Sequence, residues 1–151
     1  LEVALACDLR IAREGGGKIG LPEVNLGVLP GTGGTQRLAR LVGKSKAIEL
    51  MALGSMFSFE EGASLGLINK VLPSESFRDD AMAYAKQFVP PAKASKAVGL
   101  IKRAVVSGIE VPLESGLALE RELQQQLFQS EDSREGLLAY TEKRKPEFRG
   151  Q

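Results

Sequence analysis

The sequence predicts an α/β protein that is mostly helical and carries only a few short strands. Residues 1–73 contain short segments of alternating polar and apolar residues, separated by glycine-rich turns. Residues 74–151 instead carry a series of apolar stripes with helical spacing and no strand pattern between them. We therefore expect two regions, a core of strands and helices at 1–73 and a helical region at 74–151.

The first region begins with a segment whose short length leaves two interpretations open. Leu1–Ala6 fits either the end of a buried helix or the start of a strand, because periodicity does not decide over so few residues. Alternation of polar and apolar residues predicts a half-buried strand at Asp8–Ala12, and a second short strand at Lys18–Gly20. The glycine-rich segment Glu14–Gly17 between them predicts a turn.

The remainder of the first region predicts helices followed by one more strand. Thr35–Leu53 carries a helical pattern that Gly43 divides into two helices. Ser58 followed three residues later by Glu61 matches a capping box, which predicts the start of a short helix. The apolar segment Leu67–Leu72 predicts a strand.

The second region predicts three or four helices in succession. Pro112 suits the first position of one helix, and Asp132 followed by Glu135 signals the start of the last. The apolar stripes of these helices contain Phe77, Ala81, Tyr84, Ala85 and Phe88, then Ala97, Leu100, Ile101, Ala104 and Val105, then Leu113, Leu117, Leu123 and Leu127, and finally Leu137, Leu138 and Tyr140. We expect these stripes to form a core or contacts between subunits.

The composition is that of a globular domain and excludes several classes of function. The 151 residues contain no histidine, which excludes Ser-His and Cys-His catalysis and histidine-ligated metal sites. A net charge of +1 provides no general attraction for nucleic acid. No apolar run approaches the roughly 18 residues needed to cross a membrane. We therefore expect neither a nucleic-acid partner nor a membrane.

The single cysteine and the first residues bear on where the protein resides and how much of it this chain represents. One cysteine allows no internal disulfide, which suits a reducing compartment, so we expect a cytoplasmic protein. Cys7 is expected to be a small core residue rather than a nucleophile. The chain begins without methionine and without a basic leader, inside an apolar pattern, so we expect a fragment of a longer protein.

The stretch most suggestive of a site runs from Leu21 to Arg37. It places one carboxylate, Glu23, ahead of a turn built from Pro30, Gly31, Gly33 and Gly34, and a helical pattern follows. A helix that opens behind a glycine turn offers unpaired N–H groups to an anion or a polarised water. A second acid, Glu2, lies upstream. We hypothesise that these two acids face each other across one site.

These segments resemble the crotonase (enoyl-CoA hydratase/isomerase) superfamily. The resemblance rests on Glu-Val-Ala-Leu-Ala-Cys-Asp-Leu-Arg-Ile-Ala from residue 2, and on Gly-Leu-Pro-Glu-Val-Asn-Leu-Gly-Val-Leu-Pro-Gly-Thr-Gly-Gly-Thr-Gln-Arg-Leu from residue 20. It continues through Gly-Lys-Ser-Lys-Ala at 43–47, Ala-Ser-Leu-Gly-Leu-Ile-Asn at 63–69 and Arg-Glu-Gly at 134–136, and it ends with Glu-Lys-Arg-Lys-Pro-Glu-Phe at 142–148. It implies the C-terminal half of a crotonase-like ββα spiral fold.

The resemblance also implies a reaction. Adding water to an enoyl thioester needs a base for the water and an acid for C2. The hydratases of the family use two glutamates, which match Glu2 and Glu23, and Gly31 matches a glycine whose N–H helps to hold the water. The family's oxyanion donors lie in the N-terminal half, so we expect a hydratase of fatty-acid β-oxidation whose C-terminal half is inactive alone.

Further implications concern the substrate, the subunits and one departure from the family pattern. Coenzyme A (CoA) is expected as part of an acyl-CoA substrate, with no metal or redox cofactor, and Tyr140 and Lys143 match CoA-binding positions on the last helix. Phenylalanine is more usual at the first of these positions. A homo-oligomer is expected, because the intact family forms trimers or dimers of trimers. Gly15–Gly17 adds one residue to the usual loop.

Two other functions remain open at this stage. Isomerases of the family rely on a single glutamate at the position of Glu23, although the retention of Glu2 favours a hydratase. A non-catalytic fragment that only self-associates is the third possibility. For individual features, the glycines of the turn could serve only the turn, and Lys143 could belong to a solvated basic tail.

Overall fold

The computed structural model describes residues 1–151 and contains eight α-helices, four short strands and one 3-10 helix. The elements are α1 Glu2–Leu5, β1 Ile11–Arg13, β2 Lys18–Gly20, the 3-10 helix Glu23–Leu26, α2 Gly34–Val42, α3 Lys44–Ala52, β3 Met56–Ser58, α4 Phe59–Ser64, β4 Lys70–Leu72, α5 Phe77–Lys86, α6 Ser95–Gly108, α7 Leu113–Phe128 and α8 Glu131–Glu142. This confirms an α/β chain that is mostly helical with a few short strands. None of the helices combines the length and the apolarity that a membrane crossing requires.

The chain divides into two compact units, which we call unit 1 (Leu1–Ala81) and unit 2 (Met82–Gln151). The boundary falls within α5, whereas the sequence pattern changes after residue 73. The division of function between residues 1–73 and 74–151 stays a prediction.

Unit 1 contains two sheets of two strands each. In one sheet β1 pairs with β4 in parallel, with Ile11 opposite Lys70 and Arg13 opposite Leu72. In the other sheet β2 pairs with β3 in antiparallel orientation, with Lys18 opposite Ser58. Two-stranded sheets are marginal by themselves, so they depend on the helices that pack against them.

The core of unit 1 gathers apolar side chains from most of its elements. Leu38 of α2 and Leu67, which follows α4, are the largest fully buried side chains, at 1% and 0% exposure. The buried cluster consists of Leu5, Leu21, Leu38, Ala47, Phe57 and Leu67. Leu5 and Leu21 belong to the segments that carry the two predicted acids, so burial of these leucines anchors both segments to the same core.

Several strand limits differ from the prediction, because tertiary partners rather than alternation decide where a ladder ends. The first strand lies at Ile11–Arg13 rather than Asp8–Ala12, since the backbone N–H of Arg10 donates to the side chain of Asn69 at 2.8 Å instead of joining the ladder. The last strand comprises only Lys70–Leu72, because residues 67 and 68 close the end of α4. The sequence patterns missed β3 altogether. The strand at Lys18–Gly20 is confirmed.

The helix predictions hold better, because local chemistry defines helix ends. Leu1–Ala6 contains a helix, α1, and Gly43 separates α2 from α3 as predicted. The capping box is present, with the Ser58 hydroxyl accepting from the N–H of Glu61 at 3.1 Å and the Glu61 carboxylate accepting from the N–H of Ser58 at 2.7 Å. These reciprocal bonds fix the start of α4.

Two helix starts in unit 2 lie one or two residues from their predicted positions. Pro112 is the N-cap of α7 rather than its first helical residue. The N-cap of α8 is Ser130, whose hydroxyl accepts from the N–H of Ser133 at 3.1 Å. Asp132 is instead a buried residue of the first turn, and it accepts hydrogen bonds from the C-terminal segment.

In unit 2 the helices α6 and α7 pack as a pair. A Cβ atom at Gly116 would lie 3.6 Å from the Cα atom of Gly108, so the two backbones approach closely where the helices meet. Leu123 and Ala139 are buried, but many residues of the predicted stripes are exposed, such as Ile101 at 60% and Leu113 at 74%. Contacts of these stripes with other subunits stay a prediction.

Candidate active site

Glu2 is the first residue of α1, and its carboxylate reaches the glycine turn that precedes α2. Its Oε1 atom accepts hydrogen bonds from the backbone N–H groups of Thr32 at 2.8 Å and Gly34 at 2.7 Å. Unpaired N–H groups at the start of a helix favour an anion in this way. The fold therefore fixes this carboxylate in one place, although Glu2 and Gly34 are 32 residues apart in sequence.

The surroundings of Glu2 keep its carboxyl group ionised. Burial has the largest influence, and by itself it would raise the pKa. Hydrogen bonds from the N–H groups of Gly34 and Thr32, with further contributions from the Thr32 hydroxyl and the amino group of the first residue, outweigh burial, so the pKa of Glu2 lies below its ordinary value of 4.5. Glu2 therefore carries a negative charge at neutral pH and can accept a proton.

Gly34 is the position at which the turn and the carboxylate approach most closely. A Cβ atom here would lie 2.8 Å from Glu2 Oε1, 2.8 Å from Pro30 Cβ and 2.9 Å from Leu21 Cδ1. Side-chain carbons do not tolerate such contacts, so this position requires glycine. The absence of a side chain at Gly34 thus makes room for the carboxylate against the backbone of the turn.

Gly31 lies earlier in the same turn and is exposed. A Cβ atom at Gly31 would meet only the carbonyl oxygen of Leu29, at 3.9 Å, so the space beside this residue is open. Glu2 takes its donors from Thr32 and Gly34 rather than from Gly31. The role of the Gly31 N–H in holding a water molecule stays a prediction.

Glu23 begins the 3-10 helix Glu23–Leu26, an element that the sequence patterns did not predict. This single turn ends at Gly27, which adopts a φ of 73° that favours glycine. The N–H of Val28 then donates to the carbonyl of Glu23 at 3.3 Å, which closes the turn. The backbone of Glu23 is thereby fixed at the start of a short, tight element.

One carboxylate oxygen of Glu23 is buried and has no hydrogen-bond partner in the chain. Buried polar atoms in proteins nearly always have a partner, so an unpaired one calls for an explanation. A molecule bound beside Glu23, such as a water or a substrate, would supply the missing partner. This oxygen, Oε2, is therefore the atom of Glu23 best suited to exchange a proton with a ligand.

The segments of both acids converge on Gly34 within unit 1. The Glu2 carboxylate borders Gly34 on one side, and Leu21, two residues before Glu23, borders it on another. The strand after the loop Gly15–Gly17 pairs in full, Lys18–Gly20 with Met56–Ser58, and the additional residue in that loop stays a prediction. That the two carboxylates face each other stays a prediction.

The two predicted CoA-binding residues, Tyr140 and Lys143, lie in unit 2 at the end of α8. Tyr140 is 86% exposed. Lys143 follows the last helical residue in the left-handed conformation, with a φ of 55°. Its N–H donates to the carbonyl of Tyr140 at 3.3 Å, and the N–H of Arg144 donates to the carbonyl of Ala139 at 3.0 Å, as at a Schellman helix end. Both predicted side chains are thus exposed to solvent.

Cys7 differs from its prediction as a core residue. It is exposed, because it lies in the turn after α1, where its Sγ–H donates to the carbonyl of Val3 at 3.6 Å. Only Leu5 of this short helix points into the core.

Sequence reasoning also missed the donors that hold Glu2 and the role of Arg10. The arginine side chain donates to the carbonyls of Leu67 and Cys7, both at 2.6 Å. No local pattern signals the bond of Arg10 with Leu67 or the bonds of Glu2 with Thr32 and Gly34, because each joins residues at least 30 apart in sequence. No group of three or more histidine, cysteine, aspartate or glutamate residues is arranged to hold a metal ion.

Comparison with known proteins identifies the family. The family model for enoyl-CoA hydratase/isomerase matches residues 1–151. Enoyl-CoA isomerase/hydratase fer4 of Mycosarcoma maydis is 43% identical over 99% of this chain and 54% of its own length. Probable enoyl-CoA hydratase 2, mitochondrial, of Arabidopsis thaliana is 43% identical over 99% of this chain and 49% of its own length.

A solved structure of similar sequence has the same fold. The enoyl-CoA hydratase of Geobacillus kaustophilus HTA426 superposes with a TM-score of 0.93 at 48% identity, covering 99% of this chain and 56% of that one. The chain spans about half the length of the curated relatives it matches. The match over every residue shows that the chain belongs to the enoyl-CoA hydratase/isomerase family of the crotonase superfamily.

Proposed function

We propose that the protein to which this chain belongs reversibly hydrates 2-enoyl-CoA thioesters to 3-hydroxyacyl-CoA, as in fatty-acid β-oxidation. The observation that carries the proposal is the fixed, ionised carboxylate of Glu2, held by the N–H groups of Thr32 and Gly34. A hydratase needs this second acid/base group in addition to Glu23, because water must lose a proton while carbon C2 gains one.

The chemistry assigns different tasks to the two glutamates. Water adds its oxygen to C3 and transfers a proton to the carboxylate of Glu2. Negative charge then develops on the thioester oxygen, and Glu23, which enters the reaction as the protonated acid, delivers its proton to C2 through its otherwise unpaired Oε2 atom. Proton exchange with solvent then returns Glu2 and Glu23 to their starting forms. The N–H of Gly31 holds the attacking water. In the reverse reaction Glu2 acts as the acid and Glu23 as the base, and the proposed steps use no metal or redox group.

The same proposal predicts that this chain has no hydratase activity by itself. By resemblance, the donors that stabilise the thioester oxygen belong to a segment outside these 151 residues. Loss of one such donor costs about 100-fold to 1,000-fold in turnover, so loss of two leaves little catalysis. Two carboxylates without these donors cannot stabilise the charge that develops during the reaction.

A fusion protein tests this function directly. The match covers 56% of the Geobacillus kaustophilus enzyme, and by the family resemblance the remainder includes the N-terminal half of the domain. We would join that N-terminal half to Leu1 of this chain. The fusion should hydrate a short 2-enoyl-CoA, measured by loss of absorbance of the conjugated thioester, whereas the 151-residue chain should not. Glu2→Gln and Glu23→Gln in the fusion should each lower kcat by about 100-fold or more.

The fusion needs controls for folding and for unrelated glutamates. Circular dichroism should establish that each variant folds like the parent fusion. Glu14→Gln removes an exposed acid in the turn after β1 and should leave kcat unchanged. Normal kcat in a folded Glu2→Gln or Glu23→Gln fusion would contradict the assignment, and normal turnover by the isolated chain would contradict its predicted inactivity.

Double-bond isomerisation is the second candidate, because the fungal relative carries both activities in its name. Glu23 alone could remove a proton from C2 of a 3-enoyl-CoA and return it to C4, which moves the double bond from C3=C4 to C2=C3. The Glu2→Gln fusion separates the two functions. Hydration should collapse in this variant, while an isomerase would keep converting 3-enoyl-CoA to 2-enoyl-CoA.

A non-catalytic, self-associating protein is the third candidate, favoured by exposed apolar residues of unit 2 such as Ile109 at 72%. Light scattering on the chain would measure its oligomeric state, and calorimetry with CoA would measure ligand binding. Oligomers without CoA affinity would favour this candidate. We propose instead a homo-oligomer, a trimer or a dimer of trimers, that binds acyl-CoA.

For the CoA site we propose stacking of adenine on Tyr140 and an ionic contact of phosphate with Lys143. Lys143→Asn removes the ammonium group while keeping a residue that tolerates the φ of 55°. In the active fusion this variant should raise KM for acyl-CoA and leave kcat unchanged. Lys145→Asn is the matched control in the same basic segment, and an equal effect of both would indicate a general charge effect.

A further inference from the structure

The helix that carries Glu2 cannot hold its position by itself. α1 consists of four residues, and no side chain caps its N-terminus. A helix of this length has almost no intrinsic stability, because the cost of nucleation exceeds the gain from one turn of hydrogen bonds. Leu5 and the partly buried Leu1 pack against the core, but non-directional apolar contacts do not fix the rotation of the turn. Directional contacts must supply that constraint.

The side chain of Arg10 supplies such contacts at the C-terminal end of α1. Its Nη1 atom donates to the carbonyl of Cys7 at 2.6 Å and more weakly to that of Ala4 at 3.5 Å. Carbonyl groups at the end of a helix lack partners within the helix and carry the negative end of its dipole. A guanidinium group satisfies them and complements the dipole at the same time.

The same guanidinium also reaches the core of unit 1. Arg10 Nε donates to the carbonyl of Leu67 at 2.6 Å, and Leu67 is completely buried. The backbone of Arg10 is held as well, because its N–H donates to Asn69 Oδ1 at 2.8 Å and its carbonyl accepts from the N–H of Asn69 at 2.8 Å. One planar group thus joins the end of α1 to a fixed part of the core.

We propose that Arg10 is a positioning residue for Glu2. By holding α1 on the segment Leu67–Asn69, it keeps the Glu2 carboxylate against the N–H groups of Thr32 and Gly34. Arg10 itself bonds only carbonyl groups and Asn69, so it acts through the helix rather than on the substrate. Lysine cannot replace it fully, because an ammonium lacks the rigid fork that serves two carbonyls in different directions.

Amide hydrogen exchange in the 151-residue chain tests this coupling without reference to catalysis. In Arg10→Met, the amides of Thr32 and Gly34 should exchange at least about tenfold faster, since their acceptor becomes mobile. The amide of Ala47, bonded to the carbonyl of Gly43 in α3, should keep its rate. Glu2→Ala removes the acceptor entirely and should therefore give the largest increase in the exchange rates of these two amides. Arg10→Lys should fall between Arg10→Met and the parent.

Arg13→Met is the matched control, because Arg13 is an exposed arginine on the strand that follows Arg10. It should leave the exchange of Thr32 and Gly34 unchanged. Unchanged exchange at both amides in Arg10→Met would overturn the proposal. Equal acceleration of Thr32, Gly34 and Ala47 would also overturn it, since that result indicates general destabilisation. If Arg10→Met does not fold, the exchange rates of the Thr32 and Gly34 amides are compared with that of Ala47 in Arg10→Lys instead.

The consequence for catalysis rests on the proposed function and needs a separate measurement. In the active fusion, Arg10→Met should lower kcat about tenfold with KM within twofold of the parent, because the base is displaced while substrate contacts remain. Arg10→Lys should recover part of the lost kcat. An inactive parent fusion would count against hydration only, since hydrogen exchange still decides whether Arg10 positions Glu2. Unchanged kcat in a fusion whose exchange has accelerated would overturn the catalytic part alone.

Discussion

The carboxylate of Glu2 lies 2.7 Å from the amide nitrogen of Gly34, across 32 residues of sequence. This hydrogen bond links the first helix of the chain to the glycine turn before α2. A charged acceptor makes such a bond stronger than a neutral one. The segment of Glu2 is therefore joined directly to the turn that contains Gly31, and a change at Gly34 should displace the Glu2 carboxylate.

Gly34→Ala should destabilise the protein and displace Glu2. The new Cβ atom would meet Glu2 Oε1 and Pro30 Cβ, both at 2.8 Å, so the backbone or the carboxylate must move. We expect a loss of about 1–3 kcal/mol in the free energy of unfolding, which is typical when an extra carbon atom is inserted into a well-packed site. Urea denaturation followed by circular dichroism measures this change.

The matched control for this substitution is Gly31→Ala in the same turn. Its Cβ atom would have only the Leu29 carbonyl oxygen within 4 Å, at 3.9 Å, and its N–H is retained. We expect a change in unfolding free energy within about 0.5 kcal/mol. Equal losses in both variants would show that any side chain in the turn is harmful, and that the contact with Glu2 is not the cause.

Ser58→Ala should destabilise α4 by removing one half of its capping box. The hydroxyl that accepts the N–H of Glu61 at 3.1 Å would be lost, and that N–H would have no partner in the helix. We expect a loss of about 1 kcal/mol in unfolding free energy. Ser64→Ala, whose hydroxyl only donates to the Glu60 carbonyl within the same helix, should cost less than half as much. Similar costs would contradict the capping argument.

The C-terminal segment should loosen from α8 at low pH. The side-chain hydrogen bonds from Arg144, at 2.6 and 2.8 Å, lower the pKa of Glu135 to about 2, and the N–H of Glu147 contributes a further bond. Because the folded pKa lies below the ordinary 4.5, the stabilisation is complete above that value. It is lost as the pH falls from 4.5 towards about 2.

Two-dimensional NMR of the Glu147 amide resonance would follow this transition. The resonance should move with a midpoint well below 4.5 in the parent, and Glu135→Gln should abolish that movement. Lys145→Gln, which changes a neighbouring charge without touching Glu135, should leave the midpoint in place. A midpoint at the ordinary value in the parent would contradict the ion pair as the cause.

The hydrogen bonds accepted by Asp132 should provide most of the stabilisation that comes from attaching the last residues. Its two carboxylate oxygens accept from the N–H groups of Arg149 at 2.8 Å and Gly150 at 2.7 Å, and the side chain is buried. Asp132→Ala should cost about 1–3 kcal/mol in unfolding free energy. Deletion of residues 149–151 should cost a similar amount, and the two changes together should cost little more than either.

Additive costs in this double-mutant cycle would contradict the prediction. If the losses in unfolding free energy from Asp132→Ala and from the deletion simply add, Asp132 and the last residues stabilise the protein independently. Asp132→Asn is a useful intermediate, since an amide keeps one acceptor oxygen and should retain part of the stability. Full stability in Asp132→Ala would contradict the role of these hydrogen bonds.

Features that depend on neighbouring residues could be predicted from the sequence. The capping box at Ser58, the division of two helices at Gly43 and the strand Lys18–Gly20 all appear as predicted. The family resemblance also identified the superfamily, because its motifs extend over the whole chain. Local chemistry is sufficient in these cases, since a cap or a turn is satisfied by groups within a few residues.

The remaining features are decided by contacts between distant segments. The sequence identifies Glu2 and Glu23 as candidate acids. Only the tertiary structure determines that the N–H groups of Thr32 and Gly34 hold Glu2. It also determines that Glu23 has a buried carboxylate oxygen without a hydrogen-bond partner. The sequence pattern takes Asp132 as the signal for the start of α8, whereas in the folded chain Ser130 caps this helix and Asp132 accepts hydrogen bonds from the C-terminal segment. Hydrogen bonds between residues 30 positions apart produce no periodic pattern in the sequence. Several polar groups could make such a bond, and the packing of the folded chain decides which of them does.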